Sequence, residues 1–174
     1  MTEAAKRRIL IVDDEPGIVT ALGNILQSLS GVKVGVYGLN RRVVLPLSYI
    51  KVAASGTTYD STPTLLEKLY AYTSAGGTPL KSGLKTIGQF YADNTGTLYT
   101  QSGLKPYGSA ADGGACQQSF TIILTDGYYD DLSTTLDGNT DGDNGFPYAD
   151  SNSNTLADIA MYYYEKDLSP DAAD

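Results

Sequence analysis

The sequence contains no histidine and no tryptophan, and Cys116 is the single cysteine among its 174 residues. Without histidine, Ser-His-Asp and Cys-His catalysis are excluded, so much of the ordinary chemistry of enzymes is absent. The absence of histidine leaves oxygen-only metal sites as the main option, which favours magnesium or calcium over zinc. A lone thiol cannot form an internal disulfide, so Cys116 leaves the redox compartment open.

Long apolar runs and positive charge are also scarce. No segment approaches the roughly 20 consecutive apolar residues that a membrane-spanning helix needs, so the sequence predicts no membrane insertion. The basic start, residues 6 to 8, precedes a short apolar run that ends at Asp13, too early for a signal peptide, and the chain as written is expected in the cytoplasm. A formal net charge of -8 argues against a nucleic-acid partner.

What the chain does contain is an alternation of apolar strands with amphipathic helices. Its length and its 41% apolar content suit one α/β domain with a buried core. Apolar patterning predicts strands over residues 7 to 13, 32 to 38, 43 to 47 and 120 to 125, and helices over residues 16 to 29, 62 to 72 and 79 to 91. It also predicts a last helix with the buried stripe Leu156, Ile159, Ala160 and Tyr163. This order predicts a mostly parallel sheet with helices on both faces, and ligands at the carboxyl ends of the strands.

Three segments between these elements are expected to lack regular structure. Residues 56 to 61 are polar and are interpreted as a loop, as are the glycine-rich residues 93 to 118 and the acidic residues 130 to 153. The last helix is expected to begin with Ser153 or Asn154 as its N-cap.

The first strand ends in an acidic pair, Asp13 and Asp14. Residues 6 to 31 resemble the opening of a response-regulator receiver domain, in which such a pair binds magnesium. A receiver also needs an aspartate at the end of a later strand to accept the phosphate, and no apolar strand of this sequence supplies it at the required distance. A phosphorelay receiver fragment is therefore kept as an alternative function.

Residues 32 to 171 carry a longer series of motifs. These are Gly76–Leu80, Gly113–Phe120, Leu124–Tyr128, Asp141–Gly145 and Ser153–Tyr164. In this order they resemble the von Willebrand A domain of the large tip and biogenesis adhesins of bacterial type IV pili. The resemblance implies a Rossmann-like sheet and a metal-dependent binding module, not an enzyme. It further implies a protein ligand, either a pilus component or a host matrix protein, and a place at the cell surface or fimbrium.

In that family three loops hold a divalent cation, and two of them have counterparts here. Thr78 matches the second loop and Asp126 matches the third. The Asp-x-Ser-x-Ser of the first loop is missing, and Asp13 and Asp14 stand in its place. Either the metal site is impaired, or these two carboxylates replace the aspartate and a serine and still hold Mg²⁺ or Ca²⁺.

The resemblance divides the chain into two parts. Residues 1 to 31 are expected to supply a receiver-like first strand and helix that complete the same sheet. Residues 32 to 174 are expected to form a von Willebrand A-like domain that is truncated at its C-terminus. A further alternative is a recombined pair of fragments without native activity.

A second metal site is suggested by alternating oxygen-bearing residues in the acidic loop. Asp137, Asn139, Asp141 and Asp143 follow the spacing of the first half of an EF-hand loop, with Gly142 at its sixth position. Its twelfth position is not a glutamate. A solvated Asp/Asn/Gly turn is therefore the alternative to a calcium loop.

Overall fold

The structure of the protein is a computed structural model. It describes residues 8–12, 32–39, 42–50, 52–54, 57–73, 76–92, 106–107, 119–125, 128–131, 138–142 and 149–166. The predicted helix over residues 16 to 29 lies outside this described part of the chain, as does Cys116.

Within the described part the chain forms strands and helices in alternation, which confirms the predicted α/β class. In chain order the elements are β1 (Arg8–Val12), β2 (Val32–Gly38), β3 (Arg42–Ile50), β4 (Val52–Ala54), β5 (Thr57–Tyr59), α1 (Thr62–Ala71), α2 (Leu80–Ala92), β6 (Ser119–Ile123) and α3 (Leu156–Glu165).

The main sheet has the strand order β3-β2-β1-β6. β1 pairs in parallel with β2 on one side and with β6 on the other, while β3 runs antiparallel to β2 at the edge. Val12 is in register with Tyr37 of β2 and with Ile123 of β6. The carboxyl ends of β1, β2 and β6 therefore meet at one edge of the sheet, which is called the carboxyl edge below.

A second, two-stranded antiparallel sheet is formed by β4 and β5. The interpretation of residues 56 to 61 as a loop is thus wrong for Thr57–Tyr59, which pair with Val52–Ala54. β-branched and aromatic residues favour extended backbone, but a three-residue strand gives no readable period. β5 forms because it pairs with β4, and this pairing is visible only in the structure.

One face of the main sheet packs against α1. Val32, Val34 and Val36 are buried together with Leu65 and Leu69 of α1. Alternate residues of a strand point to the same face, so these valines line one side of β2. This cluster is the first of two apolar cores in the described residues.

The opposite face packs against α2. Tyr37 and Leu39 are buried in a second cluster with Ile87 and Phe90 of α2. Since Tyr37 has the opposite parity to the valines of β2, α1 and α2 cover different faces of the sheet. Ile123 of β6 also packs against this second cluster.

An irregularity in β3 places Leu45 and Leu47, which are two residues apart, in different cores. Val36 pairs with Leu45 and Val34 pairs with Ser48, so β3 has one more residue than β2 between these pairs. A bulge of this kind reverses the alternation of side chains. Leu45 accordingly joins the α1 side and Leu47 joins the α2 side.

α2 and α3 approach closely at a glycine. A Cβ atom at Gly88 of α2 would overlap the ring of Tyr163 on α3. The absence of a side chain at Gly88 thus sets the distance between the two helices. Among the helices in the described ranges, none is both long enough and apolar enough to cross a membrane.

Candidate functional site at the carboxyl edge of the sheet

The predicted ligand residues divide between the described and the undescribed parts of the chain. Thr78, Asn139 and Asp141 are described. The predictions for the others lie outside the described residues, and these are Asp13, Asp14, Asp126, Asp137 and Asp143.

The loop that carries Thr78 begins with a glycine in the left-handed region, because Gly76 has φ of 97°. Thr78 is half-buried, and its carbonyl oxygen accepts hydrogen bonds from Leu80 N at 2.9 Å and from Asp130 N at 3.2 Å. The Asp130 carboxylate lies where a Cβ atom of Gly77 would be. The loop after β6 therefore packs directly on the loop before α2.

Asp131 extends this contact by capping α2 from a distant part of the chain. Its carboxylate accepts hydrogen bonds from the backbone N–H of Lys81 at 3.2 Å and of Ser82 at 2.5 Å. The Ser82 hydroxyl also donates to it at 2.7 Å. A carboxylate at this position satisfies free N–H groups and complements the positive end of the helix dipole.

This capping role of Asp131 was not predicted from the sequence. The first turn of α2 contains no acidic residue of its own, although its N–H groups need acceptors. This lack of an acidic residue was the signal in the sequence that another residue must cap α2. It could not identify the acceptor, because Asp131 is 49 positions from Ser82.

Asp131→Ala is expected to lower the free energy of unfolding by about 1–2 kcal/mol, since a lost N-cap costs about that much. Urea unfolding at neutral pH measures the change. Asp130→Ala is the matched control, because the Asp130 side chain is exposed and its backbone bond to Thr78 survives the substitution. Equal effects of the two substitutions would contradict the capping role.

Lys81 connects the start of α2 to the segment that precedes α3. It is only 3% exposed, and its Nζ donates to the carbonyl oxygen of Asn154 at 3.2 Å. The same ammonium group lies 5.6 Å from the centre of the Tyr129 ring. The loop after β6, the start of α2 and the start of α3 therefore form one packed assembly.

α3 begins at a capping box formed by Thr155 and Asp158. Thr155 Oγ1 accepts from Asp158 N at 3.1 Å, and Asp158 Oδ2 accepts from Thr155 N at 2.7 Å. The expectation that Ser153 or Asn154 caps this helix is therefore wrong. The Thr-x-x-Asp spacing was the signal for the observed cap, and it differs from the usual box in having aspartate instead of glutamate.

Asp158 also binds a second segment. It is fully buried, and its Oδ1 accepts from Thr140 N at 2.6 Å and from Asp141 N at 3.4 Å. Burial alone would raise the pKa of this carboxyl, but the hydrogen bonds from Thr155, Thr140 and Asp141 lower the pKa below its ordinary value. Asp158 is therefore a structural anion that joins residues 138–142 to α3.

Asp141 has the opposite electrostatic character. It is 2% exposed, and burial raises the pKa of its carboxyl, with further increases from the charges of Asp150 and Asp158. Backbone hydrogen bonds from Asp150 and Asp141 lower the pKa but do not offset this rise. Across the described residues, no group of three or more His, Cys, Asp or Glu side chains is arranged to hold a metal ion.

Comparison with known proteins finds similarity to a pilus protein. The chain is 37% identical over 108 residues to the type IV pilus biogenesis factor PilY1 of Pseudomonas aeruginosa strain UCBPP-PA14. It is 32% identical over 110 residues to PilY1 of strain PAK. These matches cover 56% and 57% of the chain but only 8% and 9% of the relatives, so they establish homology to a small part of PilY1.

The other comparisons find no match. No protein-family model matches the sequence, and no solved structure matches the chain significantly. The von Willebrand A and receiver resemblances consequently remain predictions from sequence motifs.

Proposed function

We propose that this chain is a cation-dependent protein-binding module that acts in type IV pilus biogenesis or adhesion, with its ligand site at the carboxyl edge. The observation that carries the proposal is the hydrogen bond from Asp130 N to Thr78 O. It joins the two loops to which the von Willebrand A resemblance assigns metal ligands. The homology to PilY1 supports the pilus context.

The chemistry of the edge suits a hard cation. The Thr78 carbonyl is used by the backbone bonds of its loop, so the hydroxyl of this half-buried residue is the group left for a ligand. Asp126, Asp13 and Asp14 would add carboxylate oxygens, and the chain has no histidine to add nitrogen. Such a donor set fits Mg²⁺ or Ca²⁺.

The cation, when bound, would supply an open coordination position for a carboxylate of the protein ligand. Thr78 would orient the cation, and the packed Asp130–Asp131 segment would hold the two loops together. Asp13 and Asp14 together carry more negative charge than the aspartate and serines of the family motif. A more neutralised cation attracts an acidic ligand less, so we propose weak binding at this site.

The test is binding of the purified chain to immobilised type IV pili and to an extracellular-matrix protein, with magnesium or with EDTA. Binding that depends on the cation is expected, and Asp126→Ala should weaken it by at least about tenfold, since even indirect partners of a metal contribute that much. Glu67→Gln is the matched control, because Glu67 is exposed on α1.

Two outcomes would contradict the proposed function. Binding that is equal in magnesium and EDTA would exclude the cation, and the absence of binding to either partner would exclude the adhesion role. Phosphorylation of the chain by a small-molecule phosphodonor would instead favour the receiver alternative.

A further inference from the structure

The segments 138–142 and 149–158 meet in an assembly that we call the 138–158 junction. Asn139 Nδ2 donates to the Asp150 carbonyl at 2.9 Å, and Asn154 N donates to the Gly138 carbonyl at 3.1 Å. On the other side of the junction, Asp158 binds the backbone of Thr140. Three separate contacts therefore hold the two segments together.

Several buried oxygen atoms of this junction have no hydrogen-bond partner among the described residues. They are Oδ1 of Asn139, Oδ1 of Asp141 and Oδ1 of Asn154. Leaving a buried acceptor unsatisfied costs about 1–3 kcal/mol, so folded proteins usually pair such atoms with a donor, a water molecule or an ion. Three of them in one junction point to a water molecule or a cation bound there.

The charges of the junction point to the same conclusion. Asp141 is buried, and the negative charges of Asp150 and Asp158 act on its carboxyl. Asp158 accepts hydrogen bonds from several N–H groups. The Asp141 carboxyl accepts backbone hydrogen bonds from Asp150 and Asp141, but its buried Oδ1 has no partner. A divalent cation would remove the repulsion and satisfy the unpaired oxygens together.

We propose that the 138–158 junction is a calcium site formed by Asn139, Asp141, Asp150 and Asn154. Two of these side chains are carboxylates and two are amides. Calcium accepts six to eight oxygens, including amide and backbone carbonyl oxygens, in flexible geometry, whereas magnesium requires near-octahedral order and keeps its waters. The mixed oxygens of an irregular loop junction therefore favour calcium.

This arrangement differs from the EF-hand expected from spacing alone. Asn139 and Asp141 belong to the alternating loop, but Asp150 and Asn154 come from the segment that leads into α3. The predicted ligands Asp137 and Asp143 lie outside the described residues. The site lies outside the Thr78 loop and goes beyond the proposed binding function, since its role would be to stabilise the start of α3.

The experiment is calcium titration of the EGTA-treated full chain, followed by calorimetry and by thermal unfolding. Calcium at about 100 times its dissociation constant should raise the melting temperature by roughly 5–10 °C. Asp141→Asn should abolish this rise, and in EGTA it should melt no lower than the parent because a buried charge is removed. If Asp141 has only a structural role, Asp141→Asn should instead lower the melting temperature in EGTA and should keep the rise in melting temperature with calcium.

Further variants keep the test decisive. Asp150 is exposed, so Asp150→Asn should fold and should weaken calcium binding by about tenfold or more. Glu67→Gln should leave calcium binding unchanged. An unchanged melting temperature of the parent in calcium, or a full calcium response in both Asp141→Asn and Asp150→Asn, would overturn the proposal.

The variant Asp126→Ala distinguishes the junction site from the proposed cation site at the carboxyl edge. The calcium rise should persist in Asp126→Ala, and its loss there together with retention in Asp141→Asn would overturn the junction site while supporting the edge site. Retention in Asp126→Ala with no cation-dependent adhesion of the parent would instead support the junction site and contradict the proposed function.

Discussion

Asp158→Ala is expected to lower the free energy of unfolding by about 3 kcal/mol, from about 1 kcal/mol for the helix cap and about 2 kcal/mol for the bonds to residues 140 and 141. The side chain is fully buried and accepts from Thr155 and Thr140 at 2.6–2.9 Å. Its removal leaves these donors buried without an acceptor. Urea unfolding in EGTA at pH 7 measures the loss.

Thr155→Ala is the matched control for this prediction. It removes the hydroxyl that caps α3 but keeps the bonds from Asp158 to the 138–142 segment. We expect it to cost about 1 kcal/mol. If Asp158→Ala costs no more than Thr155→Ala, the link between the 138–142 segment and α3 does not contribute to stability.

The effect of Asp158→Ala should also depend on pH. The pKa of Asp158 is lowered in the folded protein, so its ionised form stabilises the fold above the unfolded-state pKa. This contribution is lost as the pH falls through the folded-state pKa, below about 4. From about pH 6 to 7 the difference in the free energy of unfolding between the parent and Asp158→Ala should therefore be constant and at its maximum. Below about pH 4 this difference should decrease.

Gly88→Ala is expected to destabilise the protein by about 2 kcal/mol, although alanine is favoured over glycine in an isolated helix by about 1 kcal/mol. The added Cβ would overlap the ring of Tyr163, which is rigid and sits between α2 and α3. Relief of the overlap requires the two helices to separate. Thermal and urea unfolding of the variant measure the net effect.

Gly83→Ala is the matched control, since Gly83 lies in the same helix and is also buried. A Cβ atom there would lie 3.0 Å from Leu39 Cδ2, the end of a flexible side chain that can move. We expect a change within about 1 kcal/mol of zero. In a Tyr163→Leu background Gly88→Ala should become less costly, and an unchanged cost would show that the ring is not the cause.

The elements with a strong apolar period were predictable from sequence. β2 matches its predicted bounds. α1 ends one residue before its predicted end, and it was predictable because its apolar residues recur at helical spacing. β6 lies one to two residues from its predicted bounds. Such patterns are local properties of the chain, so no knowledge of distant contacts was needed.

The functional edge was predictable only in part. The placement of Thr78 before α2 follows from the glycines and the proline of its loop, which are local signals. The partners Asp130 and Asp131 were missed because the first turn of α2 shows only that it lacks its own acceptor, and nothing in the sequence identifies the distant residue that supplies one. Asp13, Asp14 and Asp126 lie outside the described residues, so their role as metal ligands stays a prediction.

The sequence by itself determined the α/β class, the apolar stripes of the helices and the absence of histidine as a possible ligand, since composition and periodicity are read residue by residue. The tertiary structure decided which carboxylates carry which role. Asp131 became a helix cap, Asp158 a stabilised anion and Asp141 a buried carboxyl with a raised pKa. Their pKa values and partners depend on burial and on donors from distant segments, and only the folded chain brings these together.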